Sequence, residues 1–120
     1  MSIFTIILAT IVALEHFYIF YLESVATQSD TTSRVFNVDK EELARPSVSS
    51  LFKNQGIYNG LIAVFLLYGI FTNSQLLVTV FVLNVFFAAI YGAITANKKI
   101  ILTQGGPAIL TLLSLIIPLF

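Results

Sequence analysis

Cysteine and tryptophan are absent from this 120-residue chain, which contains one histidine and three prolines. Without cysteine the chain can form neither a disulfide framework nor a thiolate metal site, and it offers no thiol for redox chemistry. A single histidine also argues against structural zinc, which needs four nitrogen or sulfur ligands. Six basic and six acidic residues give a net charge of zero, so no overall electrostatic field attracts an anionic partner.

Charge of either sign is scarce, and apolar residues are correspondingly abundant. Charged residues make up 10 % of the chain and apolar residues 58 %, whereas soluble domains average about 25 % and about 45–50 %. A soluble protein this small would expose much of that apolar surface and would aggregate. The composition therefore argues against a soluble enzyme, a disordered chain and a nucleic-acid-binding protein, and it indicates an integral membrane protein.

Four segments are long and apolar enough to cross a bilayer, which takes about 20 mostly apolar residues. They cover approximately residues 3–26, 46–71, 76–96 and 100–120. The connections between them are short except for the loop at 27–45, and short connections favour antiparallel neighbours. We therefore expect an all-α, polytopic membrane protein: a single domain over residues 1–120 that folds as an antiparallel bundle of four transmembrane helices. A cleaved signal peptide is the less favoured alternative for the first segment, because no basic residue precedes its apolar run.

Two short stretches carry local signals for where helices begin and break. Asp39 and Glu42 have the spacing of a capping box, which predicts one short helix from about Lys40 within the loop. Gly105–Pro107 lies near the start of the fourth segment, where proline can break or kink a helix. The fourth segment is therefore the least regular of the four.

All basic residues fall on one side of this topology. Four crossings put the loop at 27–45 and the connection at 97–99 on one side, and both termini on the other. The basic residues on the loop side are Arg34, Lys40, Arg45, Lys53, Lys98 and Lys99. Because basic residues in short loops stay in the cytoplasm, we predict cytoplasmic loops and an outside location for both termini.

The first segment holds the ionisable residues that topology does not explain, namely Glu15, His16 and Glu23. Glu15 lies near the middle of the helix, where an ionised carboxylate costs a few kcal/mol unless it has a partner or a wet cavity. His16 and Glu23 are seven residues apart and therefore share one face of the helix. Ionisable residues inside a membrane are candidates for a functional site.

The other segments also carry polar side chains, most of them in their cytoplasmic halves. These residues are Gln55, Tyr58, Asn59, Asn84, Tyr91 and Gln104. Since a polar group that faces lipid is costly, we expect them to point inward and to form a ligand-binding polar core with Glu15, His16 and Glu23. The alternative is a hydrogen-bonded network that only fixes helix packing. Metal binding is not expected, because the adjacent side chains of Glu15 and His16 do not converge.

Two rows of small residues allow close helix packing. Gly56 and Gly60 form a Gly-xxx-Gly pair in the second segment, and Ala88, Gly92 and Ala96 form a similar row in the third. Such rows let two helix backbones approach closely. Packing within one chain is the preferred interpretation, and a homo-oligomer formed through either row is the alternative.

Four short runs of sequence resemble a known family. They are Ala13–Tyr18 with Leu22 and Glu23, Asn54–Gly60, Tyr91–Ala93 and Gln104–Ala108. In this order and spacing they resemble the bacterial small integral membrane proteins of the domain of unknown function 1304 family. The resemblance implies a four-helix protein of the bacterial cytoplasmic membrane, and it implies no activity.

The sequence thus favours a membrane protein that binds a small molecule or a lipid in a polar cavity in the cytoplasmic half of the bundle, with a role that could be related to transport. One alternative is an intramembrane enzyme that acts on a lipophilic substrate, with Glu15 or Glu23 as general base. Another is a structural or accessory subunit. The sequence identifies no cofactor and no catalytic residue, and the expected partners are the lipid bilayer and that ligand.

Overall fold

The computed structural model describes residues 1–96 and 99–117, and all the regular elements in this part of the chain are helical. The helices are α1 (Ile3–Phe20), continued by a π-helical turn (Tyr21–Val25), α2 (Asp30–Phe36), α3 (Lys40–Leu43), α4 (Pro46–Phe71), α5 (Gln75–Thr95), α6 (Ile100–Thr103) and α7 (Gly105–Ile116). Lys98, which was used for the orientation, and residues 118–120 of the expected fourth helix lie outside the described residues.

Within residues 1–96 and 99–117, three helices are long and apolar enough to cross a membrane by length and composition. They are Ile3–Val25, which joins α1 and the π-helical turn, Pro46–Phe71 and Gln75–Thr95. The expected fourth helix is divided at Gln104, and its longer part, α7, has 12 residues. Pro107 explains the division, because proline has no N–H to donate to the carbonyl of Thr103 four residues earlier. The count of four spans therefore stays a prediction.

The loop at 27–45 contains more helix than its sequence led us to expect. Besides α3, it holds α2, which begins where the Ser29 side chain accepts a hydrogen bond from the Thr32 N–H at 3.1 Å. It ends at Phe36 and is followed by Asn37, whose φ of 56° is left-handed, a conformation that asparagine tolerates. The α3 helix begins at Lys40, but the Asp39 side chain makes no capping hydrogen bond. The predicted capping box is therefore wrong, although the predicted helix start is right.

Buried positions of α1 and its π-helical turn form one stripe along the helix. Its members are Thr5, Ala9, Val12, His16, Ile19 and Glu23. Their spacing alternates between four and three residues, which keeps side chains on one face of a helix. His16 and Glu23 thus occupy positions that apolar residues occupy elsewhere in the stripe.

Contacts divide the chain into two compact units, Met1–Glu15 with Ala63–Phe120, and His16–Ile62. In the first unit α5 packs against α6 and α7. The Thr5 and Ser114 hydroxyls are 2.7 Å apart, which joins the N-terminal end of α1 to the C-terminal end of α7. The Met1 ammonium group donates to Asn73 Oδ1 at 3.4 Å, so the turn between α4 and α5 lies at that same end.

In the second unit, α2 contacts both α3 and the π-helical turn. The Phe36 ring packs edge-on against Phe52 of α4, with ring centroids 5.4 Å apart. Lys40 Nζ lies 2.8 Å from Asp30 Oδ1. This hydrogen bond and the lysine charge hold the pKa of Asp30 below its usual range. The loop is therefore a folded layer attached to the first turns of α4.

Candidate functional site

The second unit contains a buried carboxylate held by an amide. Glu23 lies in the π-helical turn and is 5 % exposed. Asn59 Nδ2 on α4 donates a hydrogen bond to Glu23 Oε1 at 2.6 Å. The other carboxylate oxygen makes no hydrogen bond to any residue that the structure describes, and within those residues Glu23 forms no ion pair. The arrangement therefore leaves one carboxylate oxygen that can accept a hydrogen bond from a donor outside the chain.

Gly56 brings α4 unusually close to this turn. A Cβ atom added to Gly56 would clash with Ser24 Oγ and would lie 2.9 Å from the Ser24 nitrogen and 3.0 Å from Glu23 Cβ. One helical turn further, a Cβ on Gly60 would lie 3.0 Å from the Phe20 ring. Gly56 and Gly60 therefore face α1 and its π-helical turn within the same chain. The alternative use of these glycines in a homo-oligomer stays untested.

Side-chain hydroxyls bond the backbone carbonyls of the π-helical turn and its partner helix. Thr32 Oγ1 donates toward the Leu22 carbonyl at 3.0 Å and the Ala26 carbonyl at 2.7 Å. Thr27 Oγ1 donates to the Glu23 carbonyl, and Ser24 Oγ donates to the Lys53 carbonyl, both at 2.7 Å. A π-helical turn widens the helix and leaves carbonyls that need other donors. These hydrogen bonds therefore fix the backbone of the π-helical turn and, with it, the position of Glu23.

The two other ionisable residues of α1 lie in different surroundings. His16 is buried, with 2 % of its surface exposed. Glu15 is half-buried and belongs to the other compact unit. Its Oε1 atom is buried and has no hydrogen-bond partner among the described residues. An oxygen in that state costs free energy unless a proton, a ligand or an ordered water satisfies it, so Glu15 remains a candidate.

The predicted polar core is smaller than its sequence suggested. The side chains of Gln55, Tyr58, Asn84 and Tyr91 are exposed, so the expectation that these four point inward is wrong. On α4 the helix face toward α1 contains Gly56, and Tyr58 lies about 160° away from it around the helix. On α5 the buried positions include Val82, and Asn84 likewise lies about 160° from that position.

Gln104 is half-buried at the division between α6 and α7 and makes no capping hydrogen bond. Of the predicted site residues, the structure thus brings Glu23 and Asn59 together by direct contact. It buries His16, half-buries Glu15 and leaves Gln55 and Tyr58 on the outside.

A hydroxyl cluster in the first unit escaped sequence reasoning. Thr5 Oγ1 lies 3.1 Å from Ser2 Oγ and 2.7 Å from Ser114 Oγ. A cleft of about 260 Å³ borders these groups and is also lined by Met1 and Gln75. A second, mostly apolar cleft of about 290 Å³ lies between α1 and α7. Isolated Ser and Thr residues are so common in membrane helices that no sequence pattern marked this cluster.

Comparison with known proteins gives the family of the chain. A family described as "Protein of unknown function (DUF1304)" matches residues 10–116. The chain belongs to this family. It is also similar to the "Uncharacterized protein YpaA" of Lactococcus lactis subsp. lactis (strain IL1403), with 61 % identity over 116 residues. That match covers 95 % of this chain and 98 % of the relative. No solved structure matches the chain.

For this DUF1304 member, the family match confirms the resemblance that the sequence runs suggested. The matched range includes Glu15, His16, Glu23 and Asn59, which are the residues of the candidate site. The descriptions of the family and of the relative state no activity.

Proposed function

We propose that the protein crosses the bacterial cytoplasmic membrane four times as an antiparallel bundle. Three spans are long and apolar enough by themselves. The fourth would be α6 and α7 together, since Ile100–Ile116 covers about 25 Å of helix length. Support comes from the first unit, where α6 and α7 pack along α5 and Ser114 reaches Thr5. The contact between Ser114 and Thr5 therefore lies at the same end of the first unit as the contact between Met1 and Asn73.

The orientation follows from the basic residues, and it puts both termini outside the cell. Arg34, Lys40 and Arg45 lie in the folded loop, and Lys53 lies in the first turns of α4. Lys99 precedes α6. The end that carries Met1, Asn73 and the C-terminal part of α7 has no basic residue. Because basic loops are retained in the cytoplasm, the loop with α2 and α3 lies on the cytoplasmic side.

At that cytoplasmic end, the Glu23–Asn59 pair is a binding site for a cationic nitrogen group on a small molecule or a lipid headgroup. The observation that carries this proposal is the buried Glu23 carboxylate, which a neutral amide and no cation contacts within the described residues. A buried carboxylate without a positive partner is unfavourable. A ligand ammonium group would supply both the missing charge and an N–H donor for the second oxygen.

The surroundings of the pair fit a ligand that arrives from the cytoplasmic interface. Lys53, Asn54 and Gln55 are exposed polar residues on α4, about one turn before Asn59. Beyond Asn59 the α4 sequence is apolar except for Tyr68. Glu23 therefore lies at the boundary between the headgroup region and the hydrocarbon. A charged nitrogen can reach this depth while the rest of the ligand stays in the interface.

Replacement of Glu23 by glutamine tests the proposal, because it removes the charge and keeps an oxygen that can accept from Asn59. The purified protein in phosphatidylglycerol nanodiscs is titrated with ethanolamine, or is prepared with added phosphatidylethanolamine, and thermal unfolding is measured. We expect a rise in Tm for the wild type and none for Glu23→Gln. Glu41→Gln, at an exposed acidic residue of the loop, is the matched control and should respond like the wild type.

The two additions separate the sources of the ammonium group. A response to ethanolamine indicates a free amine, and a response only to phosphatidylethanolamine indicates a lipid headgroup. If Glu23→Gln responds to both as the wild type does, or if the wild type responds to neither, the pair is a packing contact and the accessory-subunit interpretation takes its place.

A further inference from the structure

An amide side chain is exposed at the middle of an apolar helix. Asn84 is the tenth residue of α5, which covers Gln75–Thr95 and is one of the three membrane-crossing candidates. By the rise of an α-helix, Asn84 lies about 14 Å from the Gln75 end of a helix about 32 Å long. The hydrocarbon core is about 30 Å thick. Asn84 therefore lies near the bilayer midplane if α5 crosses the membrane.

Lipid offers the amide of the Asn84 side chain no hydrogen-bond partner. An asparagine amide has two N–H donors and a carbonyl acceptor, and hydrocarbon offers no partner to either. Asn84 makes no hydrogen bond to any residue within 1–96 or 99–117. Its exposed amide is therefore costly in the single chain, and a protein surface that bonds it would remove this cost.

The residues around Asn84 form a face that is suited to helix packing. Val80, Phe87 and Tyr91 are exposed on α5 together with Asn84. From Val80 their spacing is four, three and four residues, which is the pattern of left-handed helix pairs. Ala88, one turn after Asn84, is also exposed, and a small residue there lets a second backbone approach. We call Val80, Asn84, Phe87, Ala88 and Tyr91 the Asn84 face.

We propose that the Asn84 face binds the same face of a second copy of this chain, forming a two-fold symmetric dimer in the membrane. A two-fold axis places each Asn84 opposite the Asn84 of the partner. An amide is self-complementary, because the N–H of each copy can donate to the carbonyl of the other. A second copy thus satisfies both the donor and the acceptor without requiring any other protein. The dimer does not depend on a ligand at Glu23.

Single cysteines test the geometry of this dimer. The chain has no cysteine of its own, so every disulfide formed in the membrane reports the introduced residue. Ala88→Cys on the Asn84 face should give an oxidised dimer in native membranes. Val64→Cys, at a position 49 % exposed on α4, is the matched control and should remain monomeric. Equal cross-linking at the two positions, or no cross-linking at Ala88→Cys, would overturn the proposal.

Removal of the amide tests its energetic role. Asn84→Leu should weaken dimerisation about 3-fold to about 30-fold, the range that interhelical polar contacts give in membranes, as measured by resonance energy transfer in nanodiscs or vesicles at varied protein-to-lipid ratio. Asn54→Leu, at an exposed amide near the cytoplasmic end of α4, should leave the dimer unchanged. Unchanged association of Asn84→Leu, or a wild type that is monomeric at every ratio, would contradict a dimer held by Asn84.

Discussion

Replacement of Gly56 by alanine should destabilise the protein through the close approach of α4 to the π-helical turn. The added Cβ would clash with Ser24 Oγ and would lie 2.9 Å from the Ser24 nitrogen. Rotation of the Ser24 hydroxyl away from the clash would break its 2.7 Å hydrogen bond to the Lys53 carbonyl. The backbone nitrogen cannot rotate, so the helices must also separate.

The expected magnitude follows from these contacts. Overpacking of this kind costs about 1–3 kcal/mol, and the lost hydrogen bond costs about 1 kcal/mol. The better helix propensity of alanine returns at most about 1 kcal/mol, which offsets the hydrogen bond. We therefore expect Gly56→Ala to lower the free energy of unfolding by about 1–3 kcal/mol.

Unfolding in mixed micelles at increasing detergent fraction, followed by far-ultraviolet circular dichroism, measures this difference. Gly106→Ala is the matched control, because a Cβ at Gly106 has no atom within 4 Å. It should unfold at the wild-type midpoint or slightly above it. If Gly56→Ala is as stable as Gly106→Ala, the close packing at Gly56 is refuted, and with it the geometry that positions Glu23.

Three further predictions concern Asn59, the location of the C-terminus, and Asp30. Asn59→Leu removes the donor to the buried Glu23 carboxylate and should cost about 1–3 kcal/mol of unfolding free energy, whereas Asn54→Leu should change it by less than about 0.5 kcal/mol. A C-terminal alkaline phosphatase fusion should be active and a C-terminal fluorescent protein dark, since the C-terminus is predicted to lie outside; the reverse pair contradicts a four-span topology with both termini outside. Because Lys40 lowers the pKa of Asp30, their stabilising contact should be present above the ordinary aspartate pKa of about 3.9 and lost as pH falls through the lowered value. Acid unfolding of Asp30→Asn should lack that loss, and an identical pH profile for the wild type would exclude the contact in solution.

Helix positions could be predicted because membrane segments are set by length and apolar content. The structure has α4 at Pro46–Phe71 and α5 at Gln75–Thr95, and the sequence-based ranges were 46–71 and 76–96. The α2 helix was missed because a seven-residue polar helix has no apolar pattern. Ser29 and Asp30 were the usable signal, since serine is a preferred N-cap and an acidic residue suits the first turn.

Helix rotation could not be predicted in the same way. Lipid is as apolar as the interior of a bundle, so buried and lipid-facing positions carry the same kinds of side chain. On α5, Val82 is buried and Val80 is 49 % exposed, and composition does not distinguish them. The polar Asn84 was therefore assigned to the wrong side, on the assumption that one chain satisfies all its own polar groups.

The glycine positions predict the rotation of α4 about its axis better than its polar side chains do. Gly56 and Gly60 mark the α4 face that contacts α1 and its π-helical turn. Asn59 lies about 60° from Gly56 around the helix, whereas Tyr58 lies about 160° from it. The two glycines therefore suffice to predict that Asn59, and not Tyr58, is the residue of α4 that faces Glu23. The π-helical turn could not be predicted from the sequence, because it depends on hydroxyl donors from Thr27 and Thr32.

Native mass spectrometry of the protein released from nanodiscs, after equilibration with ethanolamine or with phosphatidylethanolamine, tests the cation site most directly, because it counts bound ligand. We expect one ethanolamine or one phosphatidylethanolamine per wild-type chain, the same count for Glu41→Gln, and none for Glu23→Gln. Equal ligand binding by the wild type and Glu23→Gln would contradict a cation site at Glu23 and Asn59.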